Sequence, residues 1–292
     1  MPGPRPAVLA AFAAMVVLIG LNLVAVRLSN TGLAPTWGAA FRFGVAAWLM
    51  AAYVVVRRIP LPHGRALVGA MLYGTLYFAA FFGFIYWGLV AVPASLAAVL
   101  NASVPLLTFL VAVLAGIERF RGRALAGAFL VIVGIAVLVG AGAARQAPLL
   151  RLAAIFAACL SSAAGTVVVK AFPRSHPAAI NAVGMAVAFV LLLVASLLQD
   201  ETWTLPANGR SGLALGYLVA SSLVLFPLAV WVIGEWTASA SSYAIVVSPL
   251  VTLPVAAVLL DESLGGRFAI AAALVAAGVY IGALRQPRAT TD

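Results

Sequence analysis

The chain alternates between long apolar runs and short polar segments along its whole length. Each run is close to the ~20 residues that an α-helix needs to cross the hydrocarbon core of a bilayer. Ten such runs can be counted, at residues 8–28, 35–56, 66–88, 93–116, 124–142, 151–171, 178–198, 212–234, 238–260 and 267–284. The pattern predicts an all-α polytopic membrane protein with ten transmembrane helices.

The second half of the sequence repeats the first. When the chain is shifted by 144 positions, residues 94–140 align without a gap on residues 238–284. The identical pairs are Ala94/Ala238, Ser95/Ser239, Pro105/Pro249, Leu106/Leu250, Thr108/Thr252, Glu118/Glu262, Arg123/Arg267, Leu130/Leu274 and Gly134/Gly278, and upstream Tyr73/Tyr217, Phe82/Phe226 and Trp87/Trp231. We therefore expect two five-helix repeats, residues 1–146 and residues 147–292, that form one integral unit.

An odd number of spans in each repeat means that the second repeat enters the membrane from the opposite side. Such an inverted repeat builds two conformations of mirrored accessibility around a site near the membrane midplane, which is the design of secondary transporters. The two repeats differ in one turn: the second repeat has Asp261-Glu262-Ser263 where the first repeat has Glu118-Arg119. We expect the second turn to be the weaker structural clasp.

Composition and charge support the membrane class. The chain is 65% hydrophobic and 8% charged, and its formal charge of +10 lies mostly in loops, where basic residues set orientation rather than bind nucleic acid. Eleven basic residues fall on one predicted side, namely Arg5, Arg57, Arg58, Arg65, Arg119, Arg121, Arg123, Lys170, Arg174, Arg285 and Arg288. Five fall on the other, namely Arg27, Arg145, Arg151, Arg210 and Arg267. This bias predicts that both termini are cytoplasmic.

The predicted spans lack the residues that catalysis would need. His63 and His176 lie in short loops, the chain has no HExxH, GxSxG or Gly-rich phosphate loop, and Cys159 stands alone. We therefore expect no enzyme, metal or cofactor, while a channel or lipid scramblase would need a continuous polar path. All seven acidic residues fall at helix ends or in loops, which favours facilitated movement over coupling to a buried proton-carrying carboxylate.

Polar residues inside the predicted spans are candidates for a substrate cavity, because exposing them to lipid is costly. Arg42 is the one charge well inside a span, where it either attracts a substrate carboxylate or extends to the headgroups. The uncharged candidates are Asn22, Asn101, Ser161, Tyr243 and Ser248. Hydrogen bonds between helices are the alternative role for the serines.

Aromatic residues and prolines complete the candidate cavity. Tyr73, Tyr77, Phe81 and Phe84 fall at helical spacing in the third span and form one predicted stripe for an apolar ligand, with packing as the alternative. Phe78 of the same span is a further candidate. Pro105 and Pro249 lack an N–H at matching positions of the two repeats, and such broken helices mark either a transporter's binding site or an inert kink.

These features resemble a known family. A Pro-containing span, a Glu-Arg turn and a Gly-rich span, given twice in ten helices, resemble the EamA-type transporters of the drug/metabolite transporter superfamily, which also often carry an arginine near the place of Arg42 in AAFRFGVAAWL. The resemblance covers essentially the whole chain and implies a multi-pass carrier of small metabolites in the bacterial inner membrane. The abundance of aromatic residues favours the YddG-type aromatic amino acid exporters, and export of hydrophobic or cationic drugs is the alternative.

The expected partners are a small-molecule substrate and the lipid bilayer. A GxxxG motif in the last span, with Gly278 and Gly282 at its ends, permits close helix packing either within the chain or across a homodimer.

Overall fold

The computed structural model describes residues 6–120, 147–235, 243–262 and 266–281, together with positions 122, 126, 127, 129, 130, 133, 134 and 137. This part of the chain is helical and contains no strand. The helices are α1 (Pro6–Ser29), α2 (Pro35–Val56), α3 (Arg65–Tyr73), a π-helical segment (Gly74–Ala80), α4 (Phe81–Gly88), α5 (Ala94–Asn101), α6 (Val104–Leu114), α7 (Leu149–Ala171), α8 (Pro177–Leu198), α9 (Gly209–Glu235), α10 (Tyr243–Val247), α11 (Pro249–Leu260) and α12 (Gly266–Val279).

Seven helical segments in the described residues are long and apolar enough to cross a membrane. They are Ala7–Ser29, Pro35–Val56, Arg65–Gly88, Ala94–Leu114, Leu149–Ala171, Pro177–Leu198 and Gly209–Glu235. The ninth and tenth predicted spans correspond to the shorter apolar helices Ala244–Leu260 and Ala269–Gly278, and most of the fifth lies outside the described residues. The all-helical class is confirmed, and the number of ten spans stays a prediction.

Prolines determine where several helices start and break. Pro35 and Pro177 occupy the first turn of α2 and α8, where a missing N–H carries no cost. Pro105 and Pro249 likewise start α6 and α11, so each separates one apolar segment into two helices. The two breaks fall at matching positions of the repeats.

The helices pack in a pattern that has a counterpart in each half. The closest partners of α1 are α9 and α11. Helix α7 packs on α4, on the π-helical segment that precedes α4, and on α6. The central pair is α2 and α8. Around it, α9 contacts α2, and the π-helical segment with α3 contacts α8. In the described residues, the contacts of α1 with α9 and α11 thus correspond to those of α7 with α4 and α6.

One end of the bundle is held by Glu262, and we call it the Glu262 end. The carboxylate oxygens of Glu262 accept hydrogen bonds from the backbone N–H groups of Ala94 (2.8 Å) and Ser95 (3.0 Å) at the start of α5. Arg27, near the end of α1, lies with Nε 3.7 Å from Oε1 of Glu262 and donates to the carbonyl of Val92. Glu262 thus satisfies two helix N–H groups that lack intrahelical partners, and the relative strength of the two turns stays a prediction, because much of the first turn lies outside the described residues.

A second carboxylate holds the same end. Glu201, in the loop after α8, accepts from the backbone N–H groups of Thr36 (3.0 Å) and Trp37 (2.7 Å) at the start of α2. The Trp37 indole stacks on that of Trp203, with ring centroids 5.2 Å apart. This loop is therefore fixed on the first turn of α2.

The opposite end carries basic residues, and we call it the Lys170 end. Lys170, at the end of α7, donates through Nζ to the carbonyl of Ile233 (3.2 Å), and Arg174 donates to the carbonyl of Gly234 (2.7 Å). Cations suit these last carbonyls of α9, because the C-terminus of a helix carries partial negative charge.

Glycines permit the closest contact between the halves. A Cβ atom on Gly74 would lie 2.5 Å from the carbonyl oxygen of Gly184 and 2.7 Å from its Cα, both of them backbone atoms that cannot rotate away. The π-helical segment and α8 therefore approach at a point where neither helix has a side chain. Elsewhere, Gly134 lies against Val275 of α12 within the chain, Gly278 is buried, and Gly282 lies outside the described residues. A homodimer through this motif stays a prediction.

Gly74→Ala should destabilise the protein by about 1–3 kcal/mol, because the added methyl group would overlap fixed backbone. The measurement is the thermal unfolding midpoint in detergent. Gly216→Ala is the matched control, since nothing lies within 4 Å of a Cβ atom at that helical position. Equal midpoints for the two variants would contradict the close helix contact.

Candidate functional site

Arg42 is the largest fully buried polar side chain in the described part of the bundle, with 0% of its surface exposed. It lies on α2, and its guanidinium donates through Nε to the Ser222 hydroxyl (2.8 Å) and through Nη2 to Oδ1 of Asn22 (2.9 Å). Nη1 is buried without a well-formed hydrogen bond, and the buried hydroxyl of Tyr86, which also lacks one, lies close enough to interact with the guanidinium. Arg42 thus joins α1, α2 and α9, and part of its donor capacity is unused.

The partners of Arg42 are themselves oriented. The Asn22 amide donates to the Leu18 carbonyl (2.6 Å), which leaves Oδ1 to face the guanidinium. The Ser222 hydroxyl donates to the Leu218 carbonyl (2.7 Å), so its lone pairs are available to Arg42. These local bonds to the preceding helical turn make both side chains acceptors toward Arg42.

Three aromatic rings surround the guanidinium. Its Cζ atom lies 4.7 Å from the ring centroid of Phe82, 5.2 Å from that of Phe43 and 5.7 Å from that of Phe226. Phe82 and Phe226 are also in contact with each other, with centroids 5.7 Å apart. The negative faces of the rings stabilise a desolvated cation, which is how the chain accommodates a charge at this depth.

The space for Arg42 exists because the two halves differ at this point. Arg42 and Gly184 are equivalent positions, because each lies at the same distance from the proline in the first turn of its helix, α2 or α8. Phe78 and Ser222 are also equivalent, because they are 144 positions apart in the sequence. In the structure Arg42 meets Ser222, while a Cβ on Gly184 would lie 3.1 Å from the Phe78 ring. Each of these two contacts therefore pairs one large side chain from the first half with one small residue from the second half.

A small cavity lies directly beside this cluster. Its volume is about 40 Å³, which is little more than the share of one water molecule in the liquid. The lining residues are Ile19, Asn22, Leu23, Val26, Tyr77, Phe81, Phe82, Ile85, Asn101, Val104, Ser162, Leu225, Phe226 and Ile245. Asn22, Phe82 and Phe226 belong both to this lining and to the surroundings of Arg42, so the cavity and the arginine form one site.

The structure gathers most of the residues predicted for the cavity. Asn22, Tyr77, Phe81 and Asn101 line it. Tyr73 and Phe78 form the ring cluster behind Tyr77, with centroids 5.0 Å and 5.7 Å from its ring. Arg42 lies behind Asn22.

The remaining predicted residues lie around this lining. Pro105 and Pro249 are buried at the helix breaks, and Ser248 donates to the Ile245 carbonyl (2.8 Å) of its own helix. Ser161 is half-buried and does not line the cavity. Its neighbour Ser162 does line the cavity. The side chain of Tyr243 lies outside the described residues.

The predicted aromatic stripe is divided in two. Tyr73, Tyr77 and Phe81 follow one another in contact, but Phe84 is 41% exposed and lines a separate apolar groove of about 700 Å³ between α4, α7 and α8. The wide π-helical turn at Gly74–Ala80 precedes this change of face, and regular helical spacing does not anticipate it.

Several site residues were missed by sequence reasoning. Ser222, Ser221 and Phe43 contact Arg42 or Asn22, and Phe82, Phe226 and Ser162 line the cavity. Phe82 and Phe226 carried a signal, since they are an identical pair in the repeat. Ser222 also carried one, since it replaces an aromatic residue of the first repeat.

Asn22→Leu should destabilise the protein by about 1–3 kcal/mol, because it leaves an Nη2 donor of Arg42 and the Ser221 hydroxyl without their common acceptor. Asn181→Leu is the matched control. Asn181 is equally buried, but its Nδ2 bonds only within its own helix and its Oδ1 has no partner, so its replacement should be neutral or stabilising. Thermal unfolding in detergent measures both, and a larger loss for Asn181→Leu would contradict this account.

Comparison with known proteins agrees with this architecture. The model of the EamA-like transporter family matches residues 5–140 and again residues 149–283. A probable amino-acid metabolite efflux pump of Escherichia coli K12 is 28% identical over 284 residues, which cover 91% of each chain. The inner membrane transporter YedA of the same strain is 30% identical over 274 residues, covering 92% of this chain and 86% of YedA. A crystal structure with 22% identity superposes with a TM-score of 0.66 over 96% of this chain and 98% of its own, which concerns the fold alone. The chain therefore belongs to the EamA-like transporter family.

Proposed function

We propose that this protein is a secondary transporter that exports small metabolites bearing a carboxylate and an apolar or aromatic body across the inner membrane, with neutral amino acids and their derivatives as the substrate class. The observation that carries the proposal is Arg42, a fully buried cation without an acidic partner among the described residues, which adjoins an aromatic-lined cavity. No carboxylate in the described part of the chain pairs with it. Such a charge is retained in a membrane protein for function.

A carboxylate matches the donors that Arg42 leaves unused. A guanidinium has five N–H groups in a planar fork, and carboxylates accept two of them side by side in strong charge-assisted hydrogen bonds. The rings of Tyr77, Phe81, Phe82 and Phe226 offer apolar surface for the rest of such a substrate. The relative named as an amino-acid metabolite efflux pump supports this class, and YedA supports an inner-membrane location.

We further propose that ten transmembrane helices form two inverted five-helix repeats that work by alternating access. The directions of α1 and α7 support this, because α1 ends and α7 begins at the Glu262 end, so the two helices run in opposite directions. Arg27 of α1 donates to the Val92 carbonyl, which lies in the short segment between α4 and α5. Arg151 of α7 donates to the Trp87 carbonyl, which lies in the last turn of α4. The matching helix contacts of the halves and the double match of the family model agree with this. The cavity is too small for an amino acid, so the substrate needs a rearrangement of the halves to enter.

The proposed orientation places the Lys170 end in the cytoplasm together with both termini. The excess of arginine and lysine in the loops on that side supports it. Glu201 and Glu262 would then close the periplasmic end.

Export of hydrophobic drugs is the alternative, because aromatic walls also suit uncharged aromatic compounds. Cationic drugs fit the site poorly, since Arg42 already occupies the faces of Phe82 and Phe226 and would repel a second cation.

Counterflow in liposomes containing the purified protein tests the function. Labelled phenylalanine and leucine should exchange saturably, and Arg42→Gln should lower the exchange at least about tenfold, the equivalent of 1.4 kcal/mol. Arg57→Gln is the matched control, since Arg57 is exposed after α2. Transport of a cationic dye without exchange of any carboxylate compound would overturn the proposal.

Alternating access predicts reciprocal changes at two cysteines introduced separately into a Cys159→Ala background. Leu89→Cys and Ile233→Cys occupy matching repeat positions, both buried, at the Glu262 and Lys170 ends respectively. Adding substrate should raise labelling by an impermeant thiol reagent at one site and lower it at the other. Changes of the same sign at both sites would contradict the mechanism.

A further inference from the structure

We infer that the Arg42 site prefers small organic monoanions, that is carboxylates without an ammonium group, over zwitterions with the same apolar body. This inference rests on the proposed transport of carboxylate compounds and narrows its substrate class. It follows from the balance of charges around the cavity. A monoanion neutralises Arg42, whereas a zwitterion leaves one net positive charge in a buried site, where uncompensated charge is unfavourable.

The described part of the chain supplies no acidic group to receive an ammonium at this site. Six of its seven acidic residues are described, and all six lie at helix ends or in loops; they are Glu118, Asp200, Glu201, Glu235, Asp261 and Glu262. Two of these carboxylates are engaged in holding helix starts. The seventh, Asp292, is the last residue of the sequence.

The neutral oxygens of the cavity are largely engaged as well. Asn22 Oδ1 accepts from Arg42 and from Ser221 (3.3 Å), and Asn101 Oδ1 accepts from Sγ of Cys159 (3.1 Å). The hydroxyls of Ser162 and Tyr77 remain in the lining, and Ser162 Oγ is buried without a hydrogen-bond partner. A hydroxyl can hold either an uncharged polar group or an ammonium, but it does not neutralise charge.

The two aromatic faces nearest Arg42 do not provide an alternative site for the ammonium. Phe82 and Phe226 are the rings shared by the cavity and by Arg42, and the guanidinium lies over both. An ammonium placed on the same rings would approach a like charge in a buried site, where repulsion is weakly screened. Removing the ammonium from the ligand removes both this repulsion and its desolvation.

Three ligands with one phenyl body test the inference at neutral pH. They are 3-phenylpropanoate with charge −1, phenylalanine as the zwitterion, and phenethylamine with charge +1. Binding to the purified wild-type protein is measured by titration calorimetry, and transport by counterflow in liposomes. We expect 3-phenylpropanoate to bind at least about tenfold more tightly than phenylalanine, and phenethylamine not to bind. Binding of phenylalanine as tight as that of 3-phenylpropanoate, or tighter, would overturn the inference.

Two variants test the cause of the preference. Arg42→Gln should abolish the difference between 3-phenylpropanoate and phenylalanine, and the control Arg57→Gln should preserve it. Ser162→Asp places a carboxylate in the cavity and should shift the preference toward phenylalanine by at least about tenfold. If Ser162→Asp does not fold, the wild-type comparison still decides. Equal transport of both carboxylates would refute only the monoanion preference, whereas failure of both to bind or move would refute the proposed function with it.

Discussion

The burial of one positive charge is the constraint on which the centre of this protein depends. A guanidinium removed from water must recover its interactions from fixed groups, and Arg42 recovers them from an amide, a hydroxyl and three aromatic rings. These groups come from α1, α2, α4 and α9. The packing of four helices is thereby tied to one side chain, and the same side chain lies directly behind a residue that lines the cavity, Asn22.

Much of this site could be predicted from sequence, because polar and aromatic residues in an apolar run are conspicuous. Arg42 and Asn22 were identified in this way, although their mutual hydrogen bond was not. Ser222 was missed because it lies 180 positions away in sequence from Arg42, and a serine in a membrane helix has an ordinary explanation in its bond to the preceding turn. Its significance depends on tertiary contact, which a single sequence does not contain.

The departures from expectation have two physical causes. Helical spacing assigned Phe84 to the stripe of Tyr77, but a π-helical turn before it changes the face that the following residues occupy. The expectation for the second turn considered only its own residues, Asp261 to Ser263, and did not include the contact that its glutamate makes. Its glutamate acts on another helix instead, where two backbone N–H groups at the start of α5 need an acceptor.

At the two related contacts both large residues belong to the first half and both small residues to the second, which has a consequence for the history of the chain. Two separate, identical five-helix proteins that associate in antiparallel orientation would place the same residue at both related positions. They would carry either two arginines or none around the paired phenylalanines. The pairing of Arg42 with Ser222 and of Gly184 with Phe78 requires that the halves differ in sequence. A single buried arginine at this place therefore requires two copies of different sequence, which one chain that contains both copies provides.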